Sequence, residues 1–230
     1  GIIIGVVTLT GAGTRLPSLI LPLAQDNLFG ALVLIMVSSI VLGMGLPSAV
    51  CYLLLATLIG PILGRLGVVP LAAHFFIFYF GLMSMVTPPV ALAAYAASSI
   101  ARSNFFETSV AAFRFSLVGF TLPFMFVYRP QLLILGSSGG PAGLGEVVLA
   151  VALAVAGIVP LAAGLAGYLF GRLTTWERAI LFLSAAAALL PGGFILIGGR
   201  DLSVTNLVGV ALLLGMCAWR WTRDRSATSA

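Results

Sequence analysis

Gly43-Met44-Gly45-Leu46-Pro47-Ser48 and Ser84-Met85-Val86-Thr87-Pro88-Pro89 each interrupt a long apolar run within residues 28–101. In lipid an unpaired backbone amide or carbonyl costs several kcal/mol, so irregular backbone persists only where protein or a wet cavity satisfies it. Two breaks close in sequence, both carrying hydroxyl side chains, point to a solute or ion site at membrane depth.

The apolar runs around these breaks are part of a general bias. Of the 230 residues, 61% are hydrophobic and only 7% are charged, and the mean hydropathy is +1.20. A soluble domain is nearer a quarter charged. The expected class is therefore an all-α polytopic membrane protein without a sizeable soluble domain. The internal runs are too long and too many for a cleaved signal peptide. All 11 basic residues are arginines, and the net charge is +5. Arginines in short loops beside membrane spans set orientation and touch lipid phosphates, so nucleic acid is not an expected partner and the lipid bilayer is. Cys51 and Cys217 lie far apart in apolar segments and read as small core residues, neither disulfide nor metal pair.

Length decides how the first break is read. As one helix, residues 28–64 would reach roughly 55 Å at 1.5 Å per residue, against a hydrocarbon core of about 30 Å. Divided at the break, each arm is about 24 Å, slightly short of a full crossing. A re-entrant helical hairpin over residues 28–64 fits best; the alternative is two tightly connected transmembrane helices. Gly43 and Gly45 allow the tip to turn and to approach a partner closely. Pro47 suits the start of the return arm, where no proline N–H is needed.

The second break makes residues 69–101 a discontinuous helix. Adjacent prolines remove two backbone donors and free the preceding carbonyls. Those carbonyls, with the Ser84 and Thr87 hydroxyls, are hard oxygen ligands suited to a cation such as Na+. A simple proline kink against neighbouring helices is the structural alternative. A further span runs from Glu107 to about Tyr128, with Arg114 read as a snorkelling side chain in preference to a substrate contact.

Residues 136–145 are rich in Gly, Ser and Pro and read as a linker without the Lys-Ser/Thr of a phosphate loop. Residues 146–230 follow as three aliphatic spans, about 146–170, 178–198 and 203–221, almost without buried polar groups, and a basic tail. Gly167 and Gly171 have the spacing of a small-xxx-small packing pair. An even number of crossings in the hairpin places Arg15, Arg65, Arg129 and Arg200 on one side. The richer side receives Arg102, Arg172, Arg178, Arg220, Arg223 and Arg225, and by the positive-inside rule it is cytoplasmic, as is the C-terminus. The chain opens at Gly1 without methionine, and residues 1–13 read as the end of a membrane helix. The expectation is the C-terminal part of a larger protein.

At this point a resemblance enters. Gly43-Met44-Gly45-Leu46-Pro47, the run Ala72-Ala73-His74-Phe75-Phe76-Ile77-Phe78-Tyr79-Phe80-Gly81, and Thr87-Pro88-Pro89-Val90-Ala91-Leu92-Ala93-Ala94-Tyr95 resemble the fused permeases of tripartite ATP-independent periplasmic (TRAP) transporters, most closely the branch served by TAXI-type binding proteins. Ala112-Phe113-Arg114 and Pro123-Phe124-Met125-Phe126-Val127-Tyr128 extend the match. The resemblance covers residues 1–135 strongly. It implies the second half of an inverted-repeat transporter, with the first permease half and the small-subunit helices fused in the parent chain. It also implies a bacterial or archaeal inner-membrane location, a soluble periplasmic receptor, and Na+-coupled uptake of carboxylate-type solutes by an elevator-like motion. Carried over, Gly43, Gly45, Ser48, Ser84 and Thr87 are the ion-binding candidates. Pro47, Ser48, Thr87, Pro88 and Pro89 are the solute-binding candidates. No cofactor beyond the coupling ion is expected. The family pattern would place two threonines after the hairpin proline, where Ser48 and Ala49 stand; position 85, often small or polar, is Met85.

Two other readings compete. Ser48 on a glycine-rich break and His74, the single histidine, would suit an intramembrane Ser–His hydrolase. A non-transporting assembly subunit would suit the bland last spans, although it has no use for costly breaks inside the membrane.

Overall fold

The structure, a computed structural model, describes residues 27–136, 139–189 and 204–228, with side chains to Thr222, and isolated residues before position 27. The segments expected at residues 1–13 and 15–26 lie largely outside the described residues, as does 190–203. Among the described residues the elements are helical and there is no strand. The chain falls into two compact units, residues 1–140 and 141–230.

In the first unit, α1 (Leu28–Gly43) starts on Asn27, whose side-chain oxygen accepts from the Gly30 amide, and ends where Met44–Pro47 break the ladder. Gly45 supplies the turn with φ +77°, a value favoured by glycine. The return arm is α2 (Ser48–Leu58) and α3 (Gly60–Arg65). It is kinked at Ile59 because Pro61 cannot donate to the carbonyl one turn back. Pro47 stands at the N-cap, one position earlier than a first-turn proline. At 16 residues α1 is about 24 Å long, shorter than the ~30 Å of a hydrocarbon core.

α4 (Pro70–Met83) and α5 (Leu92–Ala101) flank the second break. Pro88 and Pro89 have no N–H for the carbonyls of Ser84 and Met85, so the helix stops. The Met85 carbonyl instead accepts from the Ala93 amide at 3.0 Å, which ties the start of α5 to the end of α4. Phe76 and Phe80 anchor α4. Their rings meet Phe124 at 5.3 and 5.7 Å between centroids, and both are fully buried.

α6 (Phe105–Ser116) is capped by Asn104, whose Oδ1 accepts from the amides of Phe106 and Glu107. Asn104→Ala should cost about 1 kcal/mol, the usual worth of such a cap. Thermal unfolding of the purified protein checks this, with Asn104→Asp expected to stay near the parent. The expected single span from Glu107 to Tyr128 is bent by 50° between α6 and the Gly119–Tyr128 segment, which comprises a 3-10 turn and α7 (Leu122–Tyr128). The bend has identifiable causes. Ser116 and Thr121 donate to backbone carbonyls one turn back, Tyr79 Oη packs where a Gly119 side chain would stand, and Pro123 lacks a donor.

The second unit consists of α8 (Leu144–Ala166), α9 (Thr175–Leu189) and α10 (Val204–Thr228). α8 and the Val204–Thr222 part of α10 are each long and apolar enough to cross a membrane. Gly167 and Gly171 do not pack helices together: α8 ends at Ala166, Gly167 is its left-handed cap at φ +70°, and Gly171 lies in the following turn. The packing glycines are Gly157, against Leu189, Gly164, against Phe182, and Gly209. A Cβ on Gly209 would stand 2.5 Å from the Ala188 amide nitrogen, so α9 and α10 touch backbone to backbone. Close approach through small residues is how helices associate in lipid, where apolar burial alone gives no preference for protein.

These helices are also less bland than their composition suggests. Glu177 is fully buried and pairs with Arg220 at 3.2 Å. Ser184 donates to the Gly209 carbonyl at 2.7 Å, and Asn206 donates to the carbonyls of Ala187 and Ala188. Thr174 completes a capping arrangement at α9: its amide and hydroxyl both donate to Glu177 Oε2. The expectation that these spans are almost without buried polar groups is thus corrected. Four polar side chains spread over two helices are invisible to a composition average.

Candidate functional site

The two breaks meet. A Cβ built on Gly43, the last residue of α1, would lie 2.9 Å from Ser84 Oγ, 2.9 Å from Cys51 Sγ and 3.1 Å from the Gly81 carbonyl oxygen. A Cβ on Gly81 would lie 2.8 Å from the same sulfur and 3.1 Å from Leu55 Cδ1. Two glycines on different helices therefore enclose one buried thiol, and only hydrogen at both α-carbons permits this approach. α1, the first turn of α2 and the end of α4 converge here because the Met44–Pro47 turn folds Cys51 back beside Gly43.

The hydroxyls at the second break are oriented by their own helix. Ser84 Oγ donates to the Gly81 carbonyl at 2.5 Å, and Thr87 Oγ1 donates to the Met83 carbonyl at 2.7 Å. A hydroxyl whose proton is committed in this way presents only lone pairs elsewhere, the polarity a cation requires. Ser84 is buried and Thr87 is half-buried. Among the described residues, the carbonyls of Ser84, Val86 and Pro88 receive no backbone N–H. Pro88 is half-buried and Pro89 exposed, and Ala91 at φ +37° turns the chain into α5.

Not every sequence candidate joins this contact. Gly43 and Ser84 are brought together. Gly45 faces open space, since nothing lies within 4 Å of a Cβ placed there. Pro47 and Ser48 are exposed, and Ser48 is not among the atoms nearest to Gly43. Ser48 opens α2, where no side chain caps the helix and the amides of Ser48, Ala49 and Val50 have no acceptor among the described residues. Sequence reasoning missed two contributors: Gly81 is hidden in an aromatic run, and Cys51 reads only as core. Ser39 lies one turn before Gly43, is fully buried, and its hydroxyl has no partner in the structure.

His74 is engaged elsewhere. Its Nδ1 lies 3.0 Å from Tyr52 Oη, and the two rings line a 290 Å³ cavity with Leu71, Phe75 and Phe78. Ser48 and His74 thus form no hydrogen-bonded dyad. Arg114 is exposed, in the last turn of α6. Among the described residues no group of His, Cys, Asp and Glu could hold a metal ion, so a cation at the breaks would depend on neutral oxygens.

Residues 1–139 match the family described as "Tripartite ATP-independent periplasmic transporter, DctM component". The chain belongs to this family. No curated protein and no solved structure matches it. The DctM match spans both breaks and the helices that bring them together, and ends before the second unit. A DctM component is a membrane permease of a secondary transporter and not an enzyme, which removes the hydrolase reading. TRAP transporters of this family work with a periplasmic binding protein and a small membrane subunit.

Proposed function

We propose that this chain is the C-terminal part of a Na+-coupled TRAP permease of the TAXI-associated branch, taking up carboxylate-type solutes handed over by a periplasmic binding protein. The observation that carries the reading is the contact of Gly43 with Ser84, which joins two irregular, oxygen-bearing breaks. In this assignment α1 to α3 form a re-entrant hairpin and α4 and α5 a discontinuous helix, together the second half of an inverted repeat. Residues 1–135 are the permease part, 136–145 the linker and 146–230 a C-terminal extension. The first half and the small-subunit helices belong to the parent chain, and the C-terminus is cytoplasmic.

Ser84 and Thr87, with the carbonyls between them, ligate Na+ beside the Gly43–Gly45 tip. The buried, unpaired Ser39 hydroxyl supports a polar or wet interior here, because an orphaned buried hydroxyl costs about 1–3 kcal/mol and is retained only with a reason. Solute carboxylate is met by the uncapped amides at Ser48–Val50, since an α-helix N-terminus favours anions; Pro47, Thr87, Pro88 and Pro89 shape the same region. Neither break carries an arginine, so any guanidinium clamp comes from the other half. Ion binding shifts the population between inward and outward states, which is how the gradient drives uptake.

The test is solute uptake by the parent protein in proteoliposomes with its receptor, under a Na+ gradient, with K+ in its place, and under a proton gradient. Na+-dependent uptake is expected. Thr87→Ala and Ser84→Ala should each raise the half-saturating Na+ concentration roughly tenfold, the effect of about 1.4 kcal/mol, while Thr87→Ser stays near the parent. Unchanged Na+ dependence in both alanine variants would refute the ligand assignment. Uptake driven only by protons would refute Na+ coupling.

A further inference from the structure

A third break lies against the second. Phe105–Ser116 and Gly119–Tyr128 meet at 50°, and the turn between them is not held by its own ladder. Among the described residues the Val118 and Gly119 amides meet no backbone acceptor. Unpaired backbone is costly in a membrane span, so the bend needs support from a neighbour. α4 supplies it. A Cβ on Gly119 would stand 2.7 Å from Tyr79 Oη and 3.6 Å from Met83 Cε, and Phe120 meets Phe80 with ring centroids 5.7 Å apart. Tyr79 and Met83 lie one turn apart on one face of α4, so the bend covers the last turn of that helix.

The same last turn holds the second break. The Met83 carbonyl accepts the Thr87 hydroxyl at 2.7 Å and the Val86 amide at 3.2 Å. Beyond Met83 the ladder is irregular. The Met85 and Val86 amides reach the Leu82 and Met83 carbonyls, the tighter 3-10 pattern, and Pro88 and Pro89 offer no donor. Met83 is therefore a node: its carbonyl orients Thr87 Oγ1, and its side chain rests on Gly119. The end of α4 has few bonds of its own to resist a push from that side.

We propose that the bend at residues 117–119 buttresses the ion site, with Gly119 and Met83 as positioning residues for Thr87. The inference rests on the assignment of Ser84 and Thr87 as Na+ ligands. A site of neutral oxygens has no formal charge to hold the cation, so its affinity depends on each oxygen being kept in place by the packing behind it. Gly119 lets the α4 face approach the bend, and Met83 carries that contact to the Thr87 hydroxyl. A methyl group on Gly119 would push on Tyr79 Oη and through it on the last turn of α4.

The experiment follows thermal unfolding of the purified parent protein against Na+ concentration, with choline chloride holding the ionic strength constant. Na+ bound only by the folded state raises Tm, so the midpoint of the rise reports the ion site and the Na+-free Tm reports packing. Gly119→Ala should raise the Na+ midpoint roughly fivefold. Tyr79→Phe in the same chain should bring it back to within about twofold of the parent, since the ring carbon beneath the lost oxygen lies at an ordinary 3.7 Å from the new methyl. Met83→Ala removes the contact without a clash and should raise the midpoint by a similar factor, with Met83→Leu restoring it. A lowered Na+-free Tm with the parent's midpoint in both Gly119→Ala and Met83→Ala would overturn the proposal in favour of ordinary packing. A raised midpoint that persists in Gly119→Ala/Tyr79→Phe would overturn it as well, because the push would not run through α4. Thr87→Ala separates the two levels. A shifted midpoint there, beside unshifted Gly119 and Met83 variants, refutes the buttress alone. A Thr87→Ala midpoint equal to the parent's, or a parent that Na+ does not stabilise, refutes the ligand assignment and the buttress with it.

Discussion

Gly81→Ala is expected to destabilise the permease part and to reduce uptake by roughly tenfold or more, for an overpacking cost of about 1–3 kcal/mol. The new methyl would stand 2.8 Å from Cys51 Sγ and 3.1 Å from Leu55 Cδ1. The leucine methyl is the end of a flexible chain and can yield; the sulfur, enclosed between two helices, cannot move as cheaply. Cys51→Ala in the same chain should therefore restore most of the loss. Gly43→Ala gives the contrasting case. Its methyl would meet Ser84 Oγ at 2.9 Å and the Gly81 carbonyl at 3.1 Å as well as the sulfur, so Cys51→Ala should rescue it poorly. Thermal unfolding and Na+-driven uptake of the three single and two double variants form the measurement. Equal rescue of both glycine variants would mean that the thiol is the sole obstacle and that Gly43 and Ser84 do not share a site.

Glu177→Ala should produce the larger stability loss, about 3–5 kcal/mol, because it leaves the Arg220 guanidinium buried without its counter-charge. Glu177 is fully buried and the Arg220 side chain is 11% exposed, so water cannot replace the partner cheaply. The loss includes the bonds from the Thr174 amide and hydroxyl, which cap α9. Glu177→Leu combined with Arg220→Met should lose less than either single change, since an ion pair replaced by apolar groups leaves no orphaned charge. Unfolding of the purified chain decides between these outcomes. A single-variant loss below about 1 kcal/mol would place the pair in the weak, solvent-screened class.

Much of this was visible along the chain. The ends of α1 and α4 follow from glycine and proline positions, because a missing N–H or a required positive φ acts locally. Asn104 and Thr174 start α6 and α9 by equally local chemistry, but hydropathy begins these spans later, at residues 107 and 178. The 50° bend after Ser116 is not legible in the sequence, since Gly119 acts through Tyr79, a residue 40 positions earlier, and hydropathy treats the segment as one run. Gly167 and Gly171 show the opposite error: their spacing satisfies a packing pattern, but the helix that would carry both ends first.

By itself the sequence determined the membrane class, the two breaks and the hydroxyls placed on them. Composition and backbone chemistry act residue by residue, and the DctM pattern is written in the same contiguous segments. Only the tertiary structure decided that Gly43 meets Ser84 across Cys51, that Tyr52 engages His74, and that Glu177 and Arg220 close on each other across 43 residues. Such pairings depend on which helix faces pack together. In apolar helices with nearly uniform surfaces, that choice rests on a few small residues and buried hydrogen bonds, and their partners are identified only once the chain is folded.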